Sequence, residues 1–179
     1  VVKISNPKEK YHKFGKYLKN RKKVPTVGIT GSIGKSTTTR MAIYVFNEKY
    51  KVFSSNATSN IPEYYIKELY DHLDDDYDFH IQETGGARPN LVKESVEILD
   101  VDAFCLTNIN RFHHIDKYIT TENLIKDKTS YDAYSKKDAV GIINADDEIL
   151  MSHKYNRNII TFGIKNQQAT YIAKNIKQN

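Results

Sequence analysis

Thr26-Val27-Gly28-Ile29-Thr30-Gly31-Ser32-Ile33-Gly34-Lys35-Ser36-Thr37-Thr38-Thr39 is the stretch around which the chain is organised. Residues 24–29 form a β-rich lead-in to a glycine-bearing loop, and Gly34-Lys35-Ser36 then opens a segment with helical spacing. Glycines let the backbone close around an anion, so that successive N–H groups and a helix N-terminus point at it. A lysine at the end of such a loop reaches the β- and γ-phosphates, and the hydroxyl after it can hold Mg2+. The stretch therefore reads as a nucleoside triphosphate loop, with Gly31, Ser32, Gly34, Lys35, Ser36 and Thr37 as its contact set. The common pattern G-x-x-x-x-G-K-[ST] places a glycine at position 29, where this chain has Ile29; its glycines fall at Gly28, Gly31 and Gly34.

The 179 residues suffice for one domain with a real core and fall short of two ordinary ones. A hydrophobic fraction of 39% and a charged fraction of 27% describe a soluble globular chain. No run approaches the ~18 apolar residues of a membrane span, and the basic N-terminal stretch lacks the apolar core of a signal peptide. Cys105, the single cysteine, lies in an apolar run and reads as a small buried hydrophobe. It has no internal disulfide partner, which fits a reducing cytoplasm. The net charge of +5 is concentrated between Lys3 and Lys23, where Glu9 is the only acid. Such an arm reads as a solvated helix or tail rather than a nucleic-acid surface, and the tyrosine-rich aromatic content shows no interleaved stacking pattern.

Outward from the loop, strand and helix alternate. Residues 7–23 read as a polar helix with Tyr11, Phe14, Tyr17 and Leu18 at spacings of three and four, either packing on the core or left from a preceding domain. A helix over 36–50 offers Met41, Ile43, Val45 and Phe46 as apolar surface, and 51–54 reads as a second strand. Pro62 suits the first turn of a helix carrying Tyr65, Ile66, Leu69 and Leu73, ended by Asp74-Asp75-Asp76. That aspartate run reads as a solvated cap, since adjacent helical residues do not converge on one point. Residues 77–83 alternate as a half-buried strand, 89–99 as a helix, and 103–109 as a strand covered on both faces. A helix over 121–136, a strand over 139–143 delivering Asn144-Ala145-Asp146-Asp147, a short helix, a strand over 158–163 and an extended piece over 170–176 complete the chain. This is α/β with a mostly parallel sheet, in which ligands gather at the carboxyl ends of strands. The phosphate loop, Glu83, Thr107-Asn108 and Asn144 all fall at such ends.

The order T-G-x-x-G-K-[ST]-T-T resembles the ATP loop of the Mur ligase family, and further landmarks extend the likeness. Glu83-Thr84-Gly85-Gly86-Ala87-Arg88-Pro89 is similar to a segment of the subgroup that adds D-alanyl-D-alanine to UDP-muramoyl-tripeptide. Leu106-Thr107-Asn108-Ile109 and His114-Ile115-Asp116 resemble the family's T-N-I…H-L-D stretch with one extra residue between the halves. Asn144-Ala145-Asp146-Asp147 resembles its N-x-D-D, and 160–163 and 171–176 its next strands. The resemblance implies a three-layer P-loop NTPase-like domain over 24–179, cut before its closing strands, with 1–23 as a lead-in. It implies an ATP-dependent acid–amino-acid ligase that activates a carboxylate acceptor, a UDP-muramoyl peptide or similar, as an acyl phosphate. An amino acid or dipeptide amine then displaces the phosphate, in peptidoglycan precursor synthesis.

By the same resemblance Lys35, Lys128 and His114 are the catalytic residues, and Ser36, Glu83 and His114 the Mg2+ ligands. Lys128 matches a lysine that several members carry as a carbamate, which requires an unprotonated amine and hence burial or nearby cations. Asn144 would face the adenine, because an amide both donates and accepts. Read from the residues alone, a strand-terminal surface acid is the lesser alternative for Glu83, and Lys128 is one charge on an amphipathic helix. Asp146 and Asp147 read equally well as a helix cap. His113 competes with His114 for the ligand position, and the spacing to Lys128 favours His114. The chain by itself is expected to bind ATP weakly and not to ligate. Two other classes stay open: a P-loop domain that regulates without ligating, and a nucleotide-binding module whose basic arm contacts nucleic acid.

Overall fold

The structure is a computed structural model that describes residues 3, 5–55, 60–111 and 115–177. Among the described residues seven strands form one sheet in the order β2-β3-β1-β4-β5-β6-β7, and every neighbouring pair is parallel. They are β1 (Thr26–Thr30), β2 (Val52–Phe53), β3 (Phe79–Glu83), β4 (Ala103–Leu106), β5 (Val140–Asn144), β6 (Asn158–Gly163) and β7 (Tyr171–Ile172). The chain runs from β1 outward to β2, back through β3, and then across β1 to β4, so the winding reverses around β1. In an open parallel sheet that reversal leaves a crevice above the carboxyl ends of the flanking strands.

Eight helices, α1 (Pro7–Arg21), α2 (Lys35–Asn47), α3 (Pro62–Asp71), α4 (Leu91–Leu99), α5 (Ile115–Tyr118), α6 (Thr121–Lys128), α7 (Ser130–Tyr134) and α8 (Glu148–Ser152), are found among the described residues. Because strand side chains alternate, each strand feeds both faces. Ile29, Ile81 and Cys105 turn toward α2, whose Ala42, Ile43 and Phe46 pack on them. Phe104, Leu106 and Ile143 turn the other way to meet Val92, Val96, Tyr131 and Leu150. A third cluster joins Leu18 of α1 to Tyr65, Ile66, Leu69, Ile98 and Leu99. The result is three layers.

Four expectations are corrected. The strand expected over 77–83 begins at Phe79 and is covered on both faces: His80 and Gln82 are as buried as Ile81. Its polar positions meet Phe53 and a polar thread rather than water: the His80 ring lies against Phe53, Ser55 Oγ donates to Gln82 Oε1 at 2.7 Å and Gln82 Nε2 donates to the Glu83 carbonyl at 2.8 Å. The single helix expected over 121–136 is broken at Thr129 into α6 and α7. Of the apolar residues assigned to the surface of α2, Met41 and Val45 face outward at 65% exposure each, and only Ile43 and Phe46 pack on the sheet. The basic arm is not simply solvated: α1 docks on α3 and α4, and Lys19 is buried, donating to Thr26 Oγ1 at 2.7 Å. Burial pushes the Lys19 amine down to about 8.

Cys105 is free and buried, as its apolar run suggests, and burial lifts its thiol to about 12. Asp75 and Asp76 are solvent-facing, paired with His72 and Lys51. No helix among the described residues is long and apolar enough to cross a membrane.

Candidate active site

The loop from Gly31 to Gly34 leaves β1 and enters α2 through a left-handed turn, with Gly34 at φ 82° as the residue before the helix. A side chain is strained in that conformation, and glycine is not. Thr38 N donates to Gly34 O at 2.9 Å, closing the first helical turn, so the amides before it are left for a ligand. Gly31, at φ 152°, has a second reason to be glycine: a Cβ there would lie 2.0 Å from Thr107 Oγ1.

The loop is stapled from behind by the turn after β4. Thr107 Oγ1 donates to Ile33 O at 2.8 Å, and Asn108 Nδ2 donates to the same carbonyl at 2.8 Å. Ile33 N in turn donates to Asn108 Oδ1 at 2.9 Å, and Ser32 N to Asn108 O at 2.9 Å. Ser32 Oγ, buried, accepts from Asn110 N at 2.9 Å. Ser32, expected as a ligand contact, thus has its side chain engaged in holding the loop's shape. Strand-end position and the T-N-I resemblance both point to Thr107 and Asn108 without giving them a task; the structure has them fixing the loop.

Lys35 is half-buried, with Nζ donating to Ser32 O at 3.1 Å, while Ser36 is partly exposed and Thr37 exposed. Desolvation lowers the Lys35 amine, and the Glu83 carboxylate opposes that shift. Glu83, at the carboxyl end of β3 beside Ile29, is 4% exposed. Among the described residues its Oε1 accepts only a long 3.4 Å contact from Asn60, and its buried Oε2 has no partner. A buried carboxylate oxygen without a donor is costly unless a cation meets it. That oxygen, beside a loop shaped for phosphates, fits a divalent cation with few protein ligands, as Mg2+ prefers. Among the described residues no three His, Cys, Asp or Glu side chains gather to hold a metal by themselves. His113 and His114 lie outside the described residues.

Lys128 comes from the carboxyl end of α6 and is completely buried, its Nζ donating to Gly31 O at 3.0 Å. The break at Thr129 lets α6 stop there, against the loop. Burial and then the Lys35 ammonium push the Lys128 amine down to about 8, with Asp127 and Glu83 opposing. Lys35, Glu83 and Lys128 therefore sense one another's charge around a single loop.

Asn144 ends β5 with both halves of its amide engaged. Nδ2 donates to Thr107 O at 2.8 Å and Oδ1 accepts from Asp146 N at 3.0 Å. One N–H and one lone pair are left over. A cavity of about 540 Å3, lined by Asn144, Phe162, Gly163, Tyr171, Ile172 and Ala173, opens beside it. The two aspartates that follow are resolved by the structure. Asp147 caps α8 by accepting from Leu150 N at 2.9 Å, and also accepts from Ile109 N at 2.8 Å. Asp146 instead accepts from the amides of Ile164, Lys165 and Asn166 in the loop after β6.

A family model described as the Mur ligase middle domain matches residues 29–179. The chain belongs to that family. Two curated relatives are the UDP-N-acetylmuramoyl-tripeptide–D-alanyl-D-alanine ligase of Rickettsia prowazekii, 25% identical, and the UDP-N-acetylmuramoylalanine–D-glutamate ligase of Idiomarina loihiensis, 29% identical. The matches cover 81% and 79% of this chain but 32% and 28% of those proteins, so the chain spans about a third of their length. Among solved structures, the MurF ligase of Thermotoga maritima in complex with ADP superposes with a TM-score of 0.81 at 22% identity, covering 92% of this chain and 38% of that one. A pseudomurein peptide ligase type C from Methanothermus fervidus superposes at 0.65 with 28% identity, covering 84% of this chain and 29% of that one. The Mur ligase middle-domain fold thus carries the P-loop, Glu83 and Lys128 of this chain to one end of its parallel sheet.

Proposed function

We propose that this Mur ligase middle domain is the ATP-binding part of an acid–amino-acid ligase acting on a peptidoglycan precursor in the cytoplasm. The observation that carries the reading is the meeting of the loop amides, Lys35, the unpartnered Glu83 oxygen and the buried Lys128 amine above β1, β3 and β4. In the first step an acceptor carboxylate oxygen attacks the γ-phosphorus of ATP, the bond to the β–γ bridging oxygen breaks, and ADP leaves. In the second, an amine nitrogen attacks the acyl carbon, the carbon–oxygen bond breaks, and phosphate departs as the nitrogen loses a proton.

Transfer of this kind depends on positioning and charge stabilisation more than on covalent participation by the protein. The amides at the start of α2 bind the phosphates, and the Lys35 ammonium offsets charge that develops on the transferred group. Ser36 and Glu83 are the residues that would hold Mg2+, which when bound supplies further charge neutralisation. His114 is kept as a candidate ligand on the resemblance alone. The remaining N–H and lone pair of Asn144 suit the edge of a purine, and the apolar cavity beside it suits the ring. Lys128, with its amine near neutrality, can take up carbon dioxide as R–NH2 + CO2 → R–NH–COO− + H+, which replaces a buried cation by an oxygen ligand. The similarity to a D-alanyl-D-alanine-adding ligase favours a UDP-muramoyl peptide acceptor and a dipeptide amine. Folate-type, polyglutamate-type and lipid-linked acceptors are the other members of a substrate screen.

The test is ATP turnover by the full-length protein with and without an acceptor and an amine. ADP release is expected only when both are supplied. Equal turnover without acceptor would overturn the ligase reading in favour of a regulatory or simple ATPase domain.

A further inference from the structure

The Glu83-Thr84-Gly85-Gly86-Ala87-Arg88 turn is held at its two ends by different means. Its first half is tied to the sheet: Thr84 N donates to Ile29 O at 2.9 Å, Thr30 Oγ1 donates to Thr84 O at 2.9 Å, and Gly85 N donates to Asn60 O at 2.7 Å. The second half leaves the sheet and passes Lys128 so closely that a Cβ on Gly86 would lie 2.3 Å from Lys128 Nζ. There the restraint is a buried phenol. Tyr118, 1% exposed, places its hydroxyl 3.0 Å from Gly86 O, 2.9 Å from Arg88 O and 2.6 Å from Asp127 Oδ2.

Asp127 is the neighbour of Lys128 on α6 and is itself 5% exposed. Its other oxygen lies 3.4 Å from Lys93 N in the first turn of α4, whose preceding residue Asn90 provides no side-chain cap. One phenol therefore ties the wall that Lys128 lies against to the helix that carries Lys128.

We infer that Tyr118, braced by Asp127, is a positioning residue that sets the gap between Lys128 and the Gly86 wall of the Glu83 turn. Its hydroxyl meets oxygens of this chain, Gly86 O, Arg88 O and Asp127 Oδ2, so it acts through Lys128 and Glu83. The inference rests on the ligase reading for its functional consequence, but its structural content does not. The single O–H can donate to only one of these three acceptors at a time, Asp127 Oδ2 being the nearest at 2.6 Å, so the phenol gathers the two carbonyls and the carboxylate around one shared proton. Reaction rates respond steeply to such spacing: a misplacement of about 1 Å can reduce turnover about 100-fold. Arg88 is further restrained by its paired contact with Glu94, at 3.0 and 2.7 Å, and by Leu91 N, which donates to Arg88 O at 3.3 Å; both lie farther along the chain than Gly86.

The experiment uses the full-length protein and the variants Tyr118→Phe, Asp127→Asn and their combination, with two readouts. Amide hydrogen exchange in the ATP-loaded protein should quicken about tenfold or more at Gly86–Arg88 in Tyr118→Phe while the amides of β1 stay protected. Acceptor-dependent turnover at saturating substrates should fall about 10- to 100-fold, with the KM for ATP moved less than about twofold, since the phosphate loop is untouched. The double variant should lose no more than the worse single one, because the two side chains act as a unit. Unchanged exchange at Gly86–Arg88 overturns the tether, whatever the activity. Faster exchange with unchanged kcat reduces Tyr118 to a structural residue and overturns the positioning role. A wild type that releases ADP without acceptor overturns the ligase reading and this inference's consequence for rate, while the exchange arm still decides the tether.

Discussion

Lys35 and Lys128 sit around the same loop and differ in what the fold asks of them. Among the described residues Lys35 makes one hydrogen bond, to a loop carbonyl, and it stays partly exposed. Lys35→Ala is expected to remove acceptor-dependent ATP turnover by at least about 1000-fold, in line with the loss of a main phosphate-stabilising group. A thermal melt should register only about 1 kcal/mol, the net worth of one hydrogen bond. Lys128 is a buried amine held at about 8 against an ordinary 10.5. Its charged form opposes folding fully below pH 8, and the opposition fades as pH rises from about 8 to 10.5. In buffer free of carbon dioxide, Lys128→Met should therefore stabilise the fold by about 1–2 kcal/mol at pH 7, after allowance for the lost bond to Gly31 O. Urea titrations across pH 7–10.5 should show that gain shrinking, and the same variant should not ligate. Lys128→Ala should recover part of its ligation when short carboxylic acids are added, if a carbamate is required.

At the level of elements, the turns after the strands do the aligning. The β4 turn staples the phosphate loop through Thr107 and Asn108, and the β5 turn reaches both neighbours, through Asn144 and Asp147 to Thr107 and Ile109 after β4 and through Asp146 to the loop after β6. Asp147 also caps α8. Asp147→Ala should cost about 1–2 kcal/mol in urea-induced unfolding, as expected for a cap whose second oxygen also carries a backbone bond. Asp147→Asn should recover most of that loss. Equal stability of all three proteins would show that the cap is replaced by water.

For the molecule as a whole, the buried polar groups set the pH range of stability. His80 lies wholly inside the sheet layer, its Nε2 3.3 Å from Gln82 Oε1 and its Nδ1 without a partner among the described residues, and burial pushes it down from 6.5 to about 3. The folded state refuses a proton that the unfolded chain accepts, so stability is intact above about pH 6.5 and is lost as pH falls toward 3. By pH 4 the loss from this group alone is about 3 kcal/mol, on the order of 1.4 per unit. Calorimetry of His80→Gln should show a flatter fall in Tm between pH 6.5 and 4, even though the variant starts from a lower value at pH 7. An identical slope in both proteins would mean that other groups govern the acid limb.

What the sequence determined by itself was whatever local pattern encodes. Glycine spacing before Lys35-Ser36 marked the phosphate loop, alternation of strand and helix marked a parallel sheet, and strand-end polar residues marked its ligand face. Those signals are local because turn conformation and hydrophobic period are properties of neighbouring residues. Tertiary structure alone decided the burial of Lys128, Lys19, His80 and Gln82, which pattern had put on wetted faces. It also decided the break at Thr129 and the convergence of Tyr118, Asp127 and Gly86. Each of these depends on residues far apart in the chain being brought to one place, and the desolvation that shifts an amine or an imidazole exists only once the other layers are packed around it.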